Sequence, residues 1–105
     1  NVACGTDNVM IASCDAFEEM HALSWVMGLD EKDVLSMLTW RARAAYGLRG
    51  GVIEEGEPAD LMVLDLTSPN MSGCFSPLRS VVRRAEVSDV CGVYSDGRKV
   101  SVRGR

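Results

Sequence analysis

The sequence predicts an α+β fold, and three observations carry that expectation. Capped, amphipathic stretches fill the first half, and short apolar runs bounded by turn residues fill the second. A length of 105 residues with 47% apolar composition suits one modest core. Charged residues make up 25% and the net charge is −4, which argues against disorder. The same balance gives no electrostatic reason to expect nucleic acid or an anionic membrane as partner. No apolar run approaches the ~20 residues that a transmembrane helix needs. The opening NVACGTDNVM has no charged leader before an apolar segment, so no signal peptide is visible and a cytoplasmic protein is expected. It also lacks an initiator Met, which suggests a piece of something longer.

The elements follow in chain order. Val2 to Cys4 is a short apolar run ended by Gly5, consistent with a buried strand entering a loop. Asp15 is a good helix N-cap, and Glu18 three residues on completes an Asp version of the capping box. Ala16, Met20, Leu23 and Met27 then form one apolar stripe, and Gly28 supplies the stop. Asp30 caps a second helix whose first turn holds Glu31 and Asp33, favoured by the helix dipole. Leu35, Leu38, Ala42, Ala45 and Tyr46 share one of its faces, and Gly47 ends it. The connection is so short that the two helices are expected to pack as a hairpin.

After Gly50-Gly51 the period changes. Val52-Ile53, a Glu54-Glu55-Gly56 turn and the run Leu61–Leu66 read as strands around a reversal, with Asp65 near the end of the second strand. Ser76-Pro77 is an N-cap followed by Pro at the first helical position, opening a helix to about Arg84. Val90 to Tyr94, Asp96-Gly97 and Lys99 to Val102 form a β-hairpin signature, because Asp-Gly suits a type I′ turn. Charge is uneven: residues 1–33 hold seven acids and one base, whereas residues 79–105 hold seven bases and three acids.

Few residues carry chemistry on their own. Asp7 follows Gly5-Thr6 just past the first strand, where an exposed carboxylate could be a metal ligand or general base, or could accept a local backbone hydrogen bond in a turn. His21 lies beside the first apolar stripe and cannot form a zinc site by itself. Arg79, Arg83 and Arg84 could bind an anion or form a solvated helix face. Cys4, Cys14, Cys74 and Cys91 lie 10, 60 and 17 residues apart without a C-x-x-C pair, which favours reduced cytosolic thiols over disulfides or a four-cysteine zinc site. Gly50-Gly51 and Gly56 lack a phosphate-loop pattern and read as turn glycines.

The ordered set of motifs adds more. Gly51-Val-Ile-Glu-Glu-Gly56-Glu-Pro-Ala59-Asp60-Leu61-Met-Val-Leu-Asp65 resembles the G-x-I-x-x-G-x-x-A-D-L-x-x-x-D signature near the C-terminus of the metal-dependent amidohydrolases. Gly5-Thr6-Asp7 resembles the end of that family's eighth barrel strand. Asp15-Ala-Phe17-Glu18-Glu19-Met20 is similar to the D-x-F-x-E-M stretch of its deaminase and chlorohydrolase branch. Thr39 to Leu48 resembles the T-x-N-G-A-R-A-L-G-L helix end, although Arg41, Ala42, Arg43 and Ala44 replace the usual N-G-A-R. Ser88-Asp89-Val90 and Asp96-Gly97-Arg98-Lys99-Val100 are similar to the family's closing D-V-x-x-V-x-V-D-G-R-x-V run.

The resemblance implies an α+β fragment, with residues 1–48 ending a (β/α)8 catalytic barrel and residues 49–105 forming the C-terminal part of a small β-sandwich. It implies that Asp7 is both catalytic residue and metal ligand, relaying a proton from water activated by one divalent metal, zinc or iron. It gives His21 no role. The family's H-x-H pair and two further His ligands have no counterpart, since the chain holds one His. The expectation is therefore the C-terminal portion of a metal-dependent hydrolase of carbon–nitrogen bonds, with a small-molecule substrate for the parent enzyme. The segment alone is expected to bind no metal, to be inactive and to self-associate. The rival expectations are a small stand-alone binding module and a structural relative without the metal site.

Overall fold

A computed structural model describes residues 1–73 and 75–100. Asp15 is extended and its carboxylate accepts from the Phe17 amide at 2.8 Å, which starts helix α1, Ala16–His21. The expected partner in the capping box behaves differently: Glu18 takes the Ser13 hydroxyl instead of the cap backbone. Helix α1 continues into a π-helical turn, Ala22–Val26, closed by the Met27 amide donating to the Ala22 carbonyl at 3.2 Å. Gly28, at φ 68°, then lets the Leu29 amide return to the Leu23 carbonyl at 3.1 Å. The wider turn advances each residue less around the axis, so the stripe read at 3.6 residues per turn stops short of Met27, which is exposed. Of the expected stripe, Met20 is buried, Leu23 is half-buried and Ala16 is exposed; Phe17, outside the stripe, is the other buried residue of α1.

The second expected helix is broken in two. Helix α2 runs Glu31–Leu38, started by the Asp30 carboxylate accepting from the Lys32 amide at 2.9 Å, and α3 runs Trp40–Ala45. Between them Thr39 leaves the helical region at φ −120°, ψ −105°. Its hydroxyl donates back to the Leu35 carbonyl at 2.8 Å, a contact that bends helices. The backbone of Gly51 lies against this break. A Cβ there would sit 2.7 Å from both the nitrogen and the Cα of Trp40.

The sheet is antiparallel throughout, in the order β1-β2-β3, with β1 Leu61–Leu64, β2 Val90–Ser95 and β3 Arg98–Val100. As expected, β1 ends before Asp65. Its register with β2 slips between Val63 and Leu64, so Cys91 is the extra residue of a bulge. The β2–β3 connection has the expected form: Ser95 pairs with Arg98, and Asp96 and Gly97 both take positive φ, 49° and 76°. Residues 101 and 102 of the expected hairpin lie outside the described residues. Helix α4, Pro77–Arg84, begins where the sequence places it, with the Ser76 hydroxyl accepting from the Arg79 amide at 3.4 Å.

Two expected strands are absent among the described residues. Val2–Cys4 forms no ladder; the Cys4 amide instead donates to the Met37 carbonyl of α2 at 3.1 Å. A strand needs a neighbour, and none of the three described strands lies beside this segment. Val52-Ile53 is loop, with Ile53 89% exposed, because the chain is committed there to crossing the α2–α3 break. The turn after it does form, with Gly56 at φ 86° and the Glu57 amide donating to the Glu54 carbonyl at 3.2 Å. The described strands make one antiparallel sheet, and its β2 joins the helices in the core.

The core is shared by α1, α2, α4 and β2. Phe17, Met20, Val34, Met71, Val82, Ala85 and Val90 are buried together, with Leu23, Leu35, Leu64, Leu78 and Val93 packed around them. The two expected helices meet, but α4 packs against both and is the central element. Beside the core lies a buried carboxylate. Asp89 accepts from the Ser68 hydroxyl at 2.6 Å, the Asn70 amide group at 2.8 Å and the Glu86 backbone amide at 2.9 Å. These bonds tie the 65–73 loop and the 3-10 turn Val87–Asp89 to the start of β2, which explains an Asp at the head of the closing D-V motif.

Candidate functional site

Asp7 stands on the irregular stretch that follows Gly5-Thr6, and it is exposed. Two contacts seat the preceding residues on the broken helix. The Cys4 amide bonds Met37 of α2 at 3.1 Å, and the Asn1 side-chain amide donates to the Arg41 carbonyl of α3 at 3.0 Å. Beyond Asp7, Asn8 makes the turn: its side-chain oxygen accepts from the Met10 amide at 2.7 Å, and its carbonyl accepts from the Ile11 amide at 3.1 Å. Asn8 therefore holds the turn-capping role that the sequence left open for Asp7. The Asp7 carboxylate has no hydrogen-bond partner among the described residues. Its backbone is left-handed at φ 54°, a conformation that Asp tolerates better than most residues.

The other candidates are accounted for elsewhere. His21 borders a small cavity of about 370 Å³ with Asp15, Glu18, Glu86 and Ser88, and its Nε2 is buried without a partner among the described residues. The arginines are engaged internally. Glu31 of α2 receives Arg79 at 3.2 Å and Arg83 at 3.0 Å, while Arg84 donates to the Ser72 carbonyl at 2.9 Å. Arg83 also lies over the Trp25 ring at 4.9 Å, and the Trp25 indole N–H donates to the Arg83 carbonyl at 3.2 Å. Cys4, Cys14 and Cys91 are free thiols, while Cys74 lies outside the described residues. Burial, and then the nearby Glu19 charge, pushes the Cys4 thiol up, so it is no activated nucleophile. Among the described residues no three His, Cys, Asp or Glu side chains gather where they could hold a metal ion.

A second constellation escaped the sequence reading. Arg43 of α3 pairs with Asp60 and donates to the Arg49 carbonyl at 2.7 Å. Asp60 also accepts from the Asp96 amide at 2.8 Å, and the Gly97 amide donates to the Ala59 carbonyl at 3.0 Å. The Ala59-Asp60 step thus fastens the β2–β3 turn to α3. A signal was visible in Arg43, one of the residues that depart from N-G-A-R. Between this clamp, α2, β1 and α4 opens an apolar cavity of about 690 Å³, lined by residues including Leu35, Trp40, Leu61, Met62 and Val81. The bond from the Asp96 amide is the largest influence on the Asp60 carboxyl; desolvation opposes it, and Arg43 adds to it, so the carboxyl lies below the usual carboxylate range. A folded value below the unfolded one stabilises the fold above the unfolded value of about 3.9. That contribution should vanish as pH falls from there through the lowered folded value. Acid unfolding of Asp60→Asn should accordingly be less pH-dependent in this range than that of the parent chain, and identical profiles would contradict the linkage.

A sequence model of the amidohydrolase family matches residues 1–100, and the chain belongs to that family. It is 33% identical to a 5′-deoxyadenosine deaminase of Methanosarcina mazei, over 93% of this chain and 25% of that protein. It is 34% identical to a 5′-deoxyadenosine deaminase of Methanospirillum hungatei, over 93% of this chain and 24% of that protein. A 5-methylthioadenosine/S-adenosylhomocysteine deaminase of Thermococcus sibiricus is 33% identical over 95% of this chain and 26% of its own length. The chain thus spans about a quarter of the length of the curated relatives it matches.

Proposed function

We propose that this chain is the C-terminal portion of a metal-dependent deaminase that hydrolyses the exocyclic C–N bond of an adenosine derivative. Family membership supports a hydrolase, and the relatives' names support deamination and the substrate class. The observation that carries a role for this chain is Asp7, a carboxylate held on a seated segment and left without a partner among the described residues. Residues 1–48 would close the catalytic barrel and residues 49–105 would complete a small β-sandwich. In the barrel, Val2–Cys4 would gain the neighbouring strands it lacks here. The free thiols agree with a cytoplasmic enzyme, and no helix among the described residues is long and apolar enough to cross a membrane.

The donors present do not make a metal site. A catalytic zinc takes three or more protein ligands, and the described residues bring one candidate, Asp7, with His21 placed on α1 in another setting. When bound in the whole enzyme, zinc or iron would supply water that is nucleophilic at neutral pH. Asp7 would contribute one carboxylate there. It would accept a proton as water adds to the amino-bearing carbon, and return it as ammonia leaves. The segment alone should therefore hold no stoichiometric zinc after dialysis against a mild chelator. One tightly held ion per chain would contradict this ligand arithmetic. The function itself is tested by extending the protein upstream and assaying ammonia release from adenosine derivatives, with Asp7→Asn as the control. Release that is absent in the full-length protein, or unaffected by that substitution, would overturn the proposal.

The same reading makes the isolated chain a self-associating one. Strand β1 is a sheet edge of uncharged residues, and Met62 and Val63 on it are exposed. Met10, Ile11, Trp25 and Val26 add apolar surface elsewhere. Light scattering coupled to gel filtration should show dimers or larger species whose share grows with concentration. A folded monomer at high concentration would instead favour a complete, stand-alone module.

A further inference from the structure

The Asn1–Asp7 segment and the β2–β3 turn are both tied to one element, the broken helix α2–α3. For the first, the Cys4 amide holds Met37 and the Asn1 side chain holds Arg41, at 3.1 and 3.0 Å. For the second, Arg43 pairs with Asp60, which also receives the Asp96 amide at 2.8 Å. The Gly51 backbone sits at the break itself, close enough that a Cβ would meet Trp40 at 2.7 Å. Helix α3 is a six-residue piece that begins at a distorted Thr39 without a side-chain cap, so its own backbone fixes it weakly. What holds α3 in place is therefore what it touches, and Arg41 and Arg43 bring those contacts from both segments.

We propose that Asp60 is a positioning residue for the Asp7 segment, acting through Arg43 and the α2–α3 break. The proposal rests on the assignment of Asp7 as the site carboxylate for its functional meaning, but not for its structural test. Charge on Asp60 holds Arg43, Arg43 holds α3 and the Arg49 carbonyl, and α3 with the end of α2 seats Asn1 and Cys4. The Ala59-Asp60 step of the family signature thereby sets the distance between the sheet and the segment that carries the reacting group. Coupling of this kind requires a contiguous set of contacts and must be shown by perturbing one end and reading the other.

The test is site-resolved amide hydrogen exchange on the full chain. Asp60→Asn keeps an oxygen for the Asp96 amide and removes the charge that holds Arg43. Arg43→Gln removes the partner. Each should speed exchange of the Cys4 amide about two- to fivefold, the scale of an exposed ion pair, beyond any rise at the core amide of Val34, which reports the global stability lost with the pair. The double variant should add nothing beyond either single one, because both delete the same link. Glu57→Gln, which breaks the neighbouring Arg49–Glu57 pair at 3.4 Å without touching α3, should leave Cys4 as it was. Unchanged Cys4 exchange in both variants would overturn the proposal. An equal rise at Val34 would also overturn it, by showing a global loss of stability. Failure of the deaminase assignment would appear separately, as Asp7→Asn turnover that does not fall.

Discussion

Asp7→Asn in the full-length enzyme is expected to fold normally and to lose about 10²–10⁴ in turnover, the usual cost of removing a general base. The first half of that expectation comes from the geometry at Asp7, and the second from the role proposed for it. The Asp7 side chain is exposed and bonded to nothing among the described residues, so exchanging one oxygen for an amide group breaks no network. Its backbone sits at φ 54°, a region in which Asn is at least as comfortable as Asp. The neighbouring turn is built by Asn8 and does not depend on residue 7. What the substitution removes is a negative charge and a proton acceptor. Steady-state turnover, measured beside the melting temperature and near-UV circular dichroism, separates the effects. A stable, fully active Asp7→Asn enzyme would remove Asp7 from the chemistry. A destabilised one would show that the residue serves the fold.

Much of the architecture was legible wherever the signal is local. Asp15, Asp30 and Ser76 cap helices with their side chains, and Asp96-Gly97 makes the two-residue turn, because each acts on backbone groups two or three residues away. The family was legible because its motifs keep their order across almost the whole chain. The failures occur where a distant segment decides. The helix expected to run from Asp30 to Gly47 breaks at Thr39 because the Gly51 backbone lies against it, and no periodicity within the helix records that approach. Val2–Cys4 has strand composition, but a strand is a property of a pair. The Arg43–Asp60 link joins residues 17 apart, and Asp89 binds Ser68 at a separation of 21. Of the site, Asp7 could be named from its motif, but its freedom from local hydrogen bonds required seeing Asn8 take the turn.

Gly51→Ala should be the most destabilising small substitution in the chain, at about 3–4 kcal/mol. Two independent costs combine at this position. Its φ of 79° lies in the left-handed region, where a side chain costs roughly 1–2 kcal/mol. The new methyl would also stand 2.7 Å from Trp40 Cα and nitrogen and 2.8 Å from the Thr39 carbonyl carbon. These are backbone atoms of the helix break and cannot swing aside, so relief requires moving α3 or the loop, about 1–3 kcal/mol more. Gly28 separates the two terms. It has nearly the same backbone, φ 68°, with nothing within 4 Å of an added Cβ. Gly28→Ala should therefore show the conformational cost alone, roughly 1 kcal/mol. In a domain of this size each kcal/mol shifts the melting temperature by about 4–8 °C, so the two variants should melt well apart. Urea titration gives the same comparison through the midpoint, provided the slope is unchanged. Equal losses in the two variants would mean that the close approach of Gly51 to the Thr39 break is not what the family's first signature glycine provides. The larger loss at Gly51 would assign that glycine to holding the sheet-side loop against the helix that seats Asp7.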